Sequence, residues 1–168
     1  MRTLRLFFLS SSLFFVSCGG EGGGGFFGGG GLQSVPTSTC ASGTQWQGGE
    51  SGSAMDPGRD CIACHAQGEG PNYVIAGTVY QNAGEADDCG GVSGVTVEIT
   101  GADLNVTTLT TNSAGNFYSR ASIAMPYGVK LTSNNGTRIM VAHQSVGACN
   151  SCHTQTGANA APGRIMAP

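Results

Sequence analysis

The pattern of apolar and polar residues predicts β-structure in the centre of this chain. Six runs are rich in β-branched and aromatic residues, alternate in part with polar residues, and are separated by glycine and other turn-forming residues. They are residues 73–80, 95–100, 106–111, 116–120, 127–132 and 137–142. Short strands at this spacing are typical of an antiparallel sandwich. No segment after residue 31 has a sustained helical period, so the sequence predicts a mainly β fold.

The first 17 residues have the pattern of an export signal. Arg2 and Arg5 give a positively charged start, and the run from Leu6 to Val16 is mostly apolar. That run is shorter than the roughly 20 residues that a helix needs to cross a bilayer. We therefore expect residues 1–17 to be a signal peptide and the protein to be exported.

The residues around the expected cleavage site resemble the lipobox of bacterial lipoproteins. Val16, Ser17, Cys18 and Gly19 carry the resemblance, although Phe15 stands where that family usually has leucine. The resemblance implies cleavage before Cys18, a lipid on its thiol, and anchoring to a membrane. The absence of an aspartate after Cys18 implies an outer-membrane lipoprotein, on the periplasmic or the cell-surface side. Ordinary secretion with an unpaired Cys18 is the alternative.

Composition divides the remaining chain and excludes one class of partner. Residues 18–31 include ten glycines and predict a flexible tether after the lipidated cysteine. We expect a first flanking segment at 32–72, a β-sandwich at 73–142 and a second flanking segment at 143–168. The whole chain has seven Lys and Arg against ten Asp and Glu, so it lacks the basic field with which proteins bind nucleic acid.

Two C-x-x-C-H motifs, 88 residues apart, carry the predicted chemistry. This is the attachment sequence of c-type haem, in which two thiols add to the porphyrin vinyl groups and the histidine binds iron. The chain therefore resembles the c-type cytochromes, and the resemblance implies two covalently attached haems. The implied thioether residues are Cys61, Cys64, Cys149 and Cys152, and the implied iron ligands are His65 and His153. The alternatives are a four-cysteine zinc site and a redox-active pair of C-x-x-C motifs.

The second axial ligand of each iron is predicted from spacing. Thioether sulfur and imidazole nitrogen are the usual donors in c-type cytochromes. Met55 lies ten residues before His65, and His143 lies ten residues before the histidine of the second motif. We assign Met55 to the first haem and His143 to the second. Met140 and Met166 are the alternatives to His143.

Cys40 and Cys89 remain once the haem thiols and Cys18 are set aside. Two spare thiols in an exported protein normally form a disulfide, so we expect these two to be bonded. Two free buried cysteines are the alternative.

The central strands resemble the carboxypeptidase regulatory-like domain, a small transthyretin-like β-sandwich. The residues that carry this resemblance are G-T-V at 77–79, G-V-T-V-E-I at 94–99 and T-N-S-A-G-N-F-Y at 111–118. The resemblance implies a hairpin with its turn at residues 112–115 and with Phe117 in the core. An acidic insertion at residues 85–88 departs from the family pattern. Any small Greek-key sandwich is the alternative.

Together these features predict a small antiparallel sandwich flanked by two short haem-binding segments. The expected function is that of a lipid-anchored dihaem cytochrome, which passes single electrons between redox partner proteins of the cell envelope. Such a protein is an electron carrier rather than a catalyst. Two other functions stay open: a dihaem peroxidase or small-molecule reductase with one open iron site, and a cell-surface binding or adhesion module that carries haem.

Overall fold

The computed structural model describes residues 40–49 and 51–168. The predicted signal peptide, the lipidation of Cys18 and the glycine-rich tether lie outside the described residues. Seven strands are present in the described part. They are β1 (Ile75–Tyr80), β2 (Thr96–Thr100), β3 (Val106–Thr110), β4 (Asn116–Ser119), β5 (Gly128–Ser133), β6 (Gly136–Ile139) and β7 (Ile165–Met166).

The strands form two sheets that enclose a common core. One sheet has the order β4-β1-β7 and the other the order β3-β2-β5-β6. In β2 the side chains of Val97 and Ile99 are buried and alternate with half-buried Thr96 and Glu98. Buried residues of β1, β4 and β5 pack with Val97 and Ile99 in one cluster, so the core lies between the sheets. This arrangement confirms the mainly β, small-sandwich fold.

Strand β1 is buried along its whole length because both of its faces are covered. It pairs antiparallel with β4, with Ile75 opposite Ser119 and Thr78 opposite Asn116. On its other edge it pairs with β7, with Val79 opposite Ile165. The β1–β7 pair is parallel, so this three-stranded sheet of the sandwich is mixed.

The turn predicted at residues 112–115 is present, but it does not join two paired strands. The backbone carbonyl oxygen of Asn112 accepts a hydrogen bond from Gly115 N at 2.9 Å, and the side-chain Oδ1 of Asn112 accepts one from Ala114 N at 3.0 Å. Phe117 is 2% exposed and lies in the core, as expected. However, β3 and β4 belong to different sheets, so this turn carries the chain from one sheet to the other.

Short helical turns hold the two cysteine motifs. Helix α1 is Cys61–Cys64, a π-helical turn follows at His65–Glu69, and helix α2 is Cys149–Cys152. None of the helices in residues 40–49 and 51–168 is long and apolar enough to cross a membrane.

The structure contains the expected disulfide between Cys40 and Cys89. Both cysteines are buried with Tyr80 and Ala86 in a second, smaller cluster. The acidic insertion lies here too: Glu85 is fully buried, and its carboxylate accepts hydrogen bonds from Ser42 N at 3.1 and 3.2 Å. The disulfide therefore fixes the start of the described chain to the insertion that follows β1.

Candidate functional site

The first motif is a capped helical turn followed directly by a buried imidazole. The carboxylate of Asp60 accepts a hydrogen bond from Ala63 N at 3.0 Å and so caps α1. His65 is 7% exposed, and its Nδ1 lies 2.9 Å from the carbonyl oxygen of Pro71. A carbonyl can only accept, so Nδ1 carries the proton and Nε2 keeps its lone pair. This is the tautomer and orientation in which metal-binding histidines are held.

Aromatic rings form one wall beside His65. The ring of Tyr73 lies 4.8 Å from the imidazole, and Tyr118 stacks on Tyr73 at 4.7 Å. The chain passes close to the imidazole at Gly70, where a Cβ would lie 2.6 Å from Cε1 and Nδ1. A larger residue at this position would push the imidazole away from its carbonyl partner.

The structure brings Met55 to the first motif, as the ten-residue spacing predicts. Met55, Cys61, Cys64 and His65 line one cavity of about 40 Å³. Met55 is half-buried, and its carbonyl oxygen accepts a hydrogen bond from Asn116 Nδ2 at 2.6 Å. One cavity is therefore lined by both cysteines of the motif, its histidine and a methionine.

The donor set fits a covalently attached haem, whereas the cavity in its present shape is too small for one. Cofactor sites measure roughly 300–1,000 Å³, so the chain around this cavity would have to open. Gly52 and Ser53 form the exposed part of its lining, and a Cβ on Gly52 would meet nothing within 4 Å. Cys64 is engaged in a disulfide, so thioether formation at Cys64 requires its prior reduction.

The second motif repeats the local arrangement of the first. The Nδ1 atom of His153 lies 2.9 Å from the carbonyl oxygen of Gly163, so its Nε2 also keeps a lone pair. Helix α2 lies directly against β1 at Gly77, where a Cβ would come within 2.8 Å of Cys149 Cβ. Glycine at this position allows the motif to approach the sheet.

The structure gives no support to His143 as the second axial ligand. His143 is exposed and lies beside Gly128 at the start of β5, with Nε2 3.1 Å from where a Cβ on Gly128 would stand. None of the described contacts joins it to His153. Met140 packs against the core, and Met166 lies in β7, three residues after the carbonyl that holds His153. The second axial ligand of this site stays a prediction.

The two motifs meet at the middle of β1, although they are 88 residues apart in sequence. Asn150 lies inside the second motif and donates from Nδ2 to the carbonyl oxygen of Arg59 at 2.8 Å. Arg59 is two residues before the first motif. Asn150 also exchanges two hydrogen bonds with Thr78 of β1, each 3.0 Å long. One asparagine thus connects both motifs to the same strand.

A buried arginine also donates hydrogen bonds to the backbone near both motifs. Arg164 is 4% exposed, and its guanidinium donates to the carbonyl oxygens of Glu85 at 2.8 Å, Gly58 at 3.0 Å and His153 at 3.2 Å. Its charge is balanced by Asp87, with which it forms an ion pair. Sequence analysis missed Arg164, because a single basic residue near the end of a chain carries no local signal of burial.

The environment of the motif thiols argues against the two alternatives that the sequence left open. Burial raises the pKa of Cys61 to about 11 and that of Cys149 to about 12, whereas nucleophilic cysteines have lowered values. Across the described residues, one group of three potential ligand atoms lies within 4.8 Å of one another, and it comprises Cys40, Glu85 and Cys89. The two motifs therefore do not converge on a shared four-cysteine zinc site.

No family model, curated protein or solved structure matches this chain.

Proposed function

We propose that this chain is a lipid-anchored dihaem c-type cytochrome, which transfers single electrons between redox partner proteins of the cell envelope. One repeated observation carries the proposal. In both C-x-x-C-H motifs, a backbone carbonyl 2.9 Å away holds the histidine Nδ1 and leaves Nε2 available to a metal. The two carbonyls belong to different loops, so the same histidine hydrogen bond occurs twice in different surroundings.

Each haem would be held by particular atoms of this chain. Cys61 and Cys64 would bind the first porphyrin through thioethers, with His65 Nε2 and the Met55 sulfur as axial ligands. Cys149, Cys152 and His153 would bind the second, for which His143, Met140 and Met166 are the candidate axial ligands. When bound, each haem supplies an iron that alternates between the ferric and ferrous states and so carries one electron.

The protein contributes a dry and ordered environment around the first imidazole. Burial of His65 and the adjacent rings of Tyr73 and Tyr118 limit the access of water to this imidazole. The hydrogen bond from Nδ1 to the Pro71 carbonyl raises the basicity of Nε2 as a ligand. Methionine ligation raises an iron potential, so a Met55-ligated site and a bis-histidine site would have unequal potentials.

The envelope location rests on the sequence. The signal-like residues 1–17 and the lipobox resemblance at Cys18 support export and anchoring, and the glycine-rich tether would let the domain reach its partners. The resemblance to carboxypeptidase regulatory-like domains supports a scaffold role for the sandwich. We expect the outer membrane, on its periplasmic or cell-surface side, and no contact with nucleic acid.

Intact mass and optical spectra of the full chain, exported from a bacterium that has a haem-attachment system, test this proposal. We expect a mass that includes two haems and a lipid, and low-spin spectra that change on reduction. The double substitutions Cys61→Ala with Cys64→Ala, and Cys149→Ala with Cys152→Ala, should each remove one haem. Cys40→Ser with Cys89→Ser is the matched control and should retain two.

The outcomes separate the proposal from its alternatives. A colourless protein whose mass shows polypeptide and lipid alone would refute it. A high-spin fraction that binds peroxide or carbon monoxide would favour the peroxidase or reductase. Retention on polysaccharide that does not depend on haem would favour the adhesion module.

A further inference from the structure

We propose that Asn150 is a positioning residue for the first site, although it belongs to the second motif. Through Thr78 and Asn116 it fixes the backbone that presents Met55 and Cys61, and so it couples the two sites energetically. The inference rests on the proposed function in assuming that both motifs hold haem. Its physical basis is a buried hydrogen-bond network in the chain itself.

The centre of the network is the hydroxyl of Thr78, which is fully buried in β1. Its Oγ1 donates to Asn116 Oδ1 at 2.7 Å and accepts from Gly58 N at 2.9 Å and Asn150 Nδ2 at 3.0 Å. One donor and two acceptor sites are all that a hydroxyl offers, so this group is completely satisfied. The bonds come from three separate parts of the chain.

The side-chain amide of Asn150 joins the second motif to the residues that directly precede the first motif. Its Oδ1 accepts from Thr78 N at 3.0 Å, and its Nδ2 donates both to Thr78 and to the carbonyl oxygen of Arg59 at 2.8 Å. Asn150 is 4% exposed, so water cannot replace its hydrogen-bond partners if these bonds are broken. The position of Asn150 therefore determines where the chain enters α1 and hence where Cys61 stands.

Asn116 extends the network to the candidate axial ligand of the first site. It is also 4% exposed, accepts from Thr78 Oγ1, and donates from Nδ2 to the carbonyl oxygen of Met55 at 2.6 Å. A shift of Thr78 thus moves the hydroxyl donor that orients Asn116, and a shift of Asn116 moves the backbone of Met55. Coupling between sites needs a contiguous path of this kind, whose arrangement both sites bias.

Within the part of the chain that the structure describes, the side chain of the other intervening residue of the second motif makes only local hydrogen bonds. Ser151 donates from Oγ to the carbonyl oxygen of Ala148 at 2.7 Å and lies 3.9 Å from Cys152 Sγ. Among the described residues, Ser151 makes no side-chain hydrogen bond to the first motif or to β1. Ser151 is therefore a matched control for Asn150, because both side chains lie in one helical turn between the same two cysteines.

The test compares Asn150→Ala with Ser151→Ala in the full, exported chain. Haem number is measured first by mass, and the signal of the first site is identified as the one lost when Cys61 and Cys64 are both replaced by alanine. In Asn150→Ala we expect the reduction equilibrium of the first iron to change about tenfold, which is about 59 mV for one electron. In Ser151→Ala that potential should stay within about twofold of the wild-type equilibrium.

A second readout does not depend on haem. Amide hydrogen exchange at Gly58 should become about tenfold faster in Asn150→Ala than in Ser151→Ala, because the Thr78 hydroxyl that Gly58 N contacts is no longer fixed. If Asn150→Ala does not fold, Asn150→Asp serves instead. The aspartate keeps the acceptor for Thr78 N but cannot donate to Arg59 O.

The two proposals fail in distinguishable ways. A colourless wild-type protein would overturn the cytochrome, and the exchange measurement would still decide whether Asn150 fixes the first motif. A two-haem Asn150→Ala protein with an unchanged first potential would overturn the coupling while leaving the cytochrome intact. An equal effect in Ser151→Ala would also overturn it, because the effect would then belong to the second motif as a whole.

Discussion

Replacing Thr78 with valine should be among the most damaging single substitutions in this protein. The side-chain volume barely changes, but the hydroxyl that serves three partners is lost. Gly58 N, one amide hydrogen of Asn150 and Asn116 Oδ1 would each lose a partner in a fully buried site. An unsatisfied buried group costs about 1–3 kcal/mol, so we expect the three groups together to cost about 3–9 kcal/mol. That is a large part of the 5–15 kcal/mol typical of a domain.

Thr78→Ser is the matched control, because it retains the hydroxyl and removes only a methyl group. It should cost about 1 kcal/mol, the usual effect of deleting one buried methyl. Urea unfolding of the full chain, followed by the fluorescence of its single tryptophan, Trp46, gives both free energies of unfolding. If the valine variant lies within about 1 kcal/mol of the serine variant, the network does not stabilise the fold as we infer.

The remaining predictions concern groups outside this network. The buried hydroxyl of Tyr80 has no hydrogen-bond partner among residues 40–49 and 51–168, so Tyr80→Phe should be neutral or stabilising by about 1 kcal/mol. Tyr127→Phe should cost about 1 kcal/mol in the same urea assay, because it loses a 2.6 Å bond to a carbonyl. Burial raises the pKa of Tyr80 above its unfolded value, so wild-type stability should fall above about pH 10, where only the unfolded state ionises, and less steeply in Tyr80→Phe. Replacing Cys40 and Cys89 together with serine should cost about 4 kcal/mol, because their disulfide closes a loop with a sequence separation of 49 residues; urea unfolding of the variant and the wild type measures this cost. Arg164→Lys should cost about 3 kcal/mol, because an ammonium cannot reach three carbonyls at once; an unchanged midpoint would contradict this role.

A strand could be predicted from the sequence where its own residues carry the pattern of apolar and polar side chains that a strand shows. Runs of β-branched residues marked β1 to β6, because a half-buried strand alternates between core and solvent. Strand β7 has two residues, Ile165 and Met166, and exists because they pair with Val79 and Tyr80. No local pattern encodes such a pairing. The turn at 112–115 was implied by the resemblance to the carboxypeptidase regulatory-like domain, but its passage between sheets depends on which strands β4 meets.

The same limit applies to the candidate site. The C-x-x-C-H motifs and the spacing of Met55 are local, so the sequence indicated the cysteines and histidines of both motifs and the methionine that lies in the cavity of the first. Asn150 occupies a variable position of its motif, and its bond to Arg59 spans 91 residues of sequence. Arg164 reaches Gly58 across 106 residues. Contacts of this range follow from tertiary structure, and a single polar residue gives no sign of them beforehand.

Strand β1 explains how distant segments come to share one site. Alternate side chains of β1 lie on opposite faces of the strand. Ile75 and Val79 lie in the sandwich core, whereas Thr78 contacts both motif segments. At Gly77 the missing side chain admits Cys149, which would otherwise stand 2.8 Å from a Cβ. Glycine there and threonine next to it are therefore both required, one for the approach of α2 and the other for its bonds. The sandwich acts as the template that places two motifs side by side, rather than as a separate domain between them.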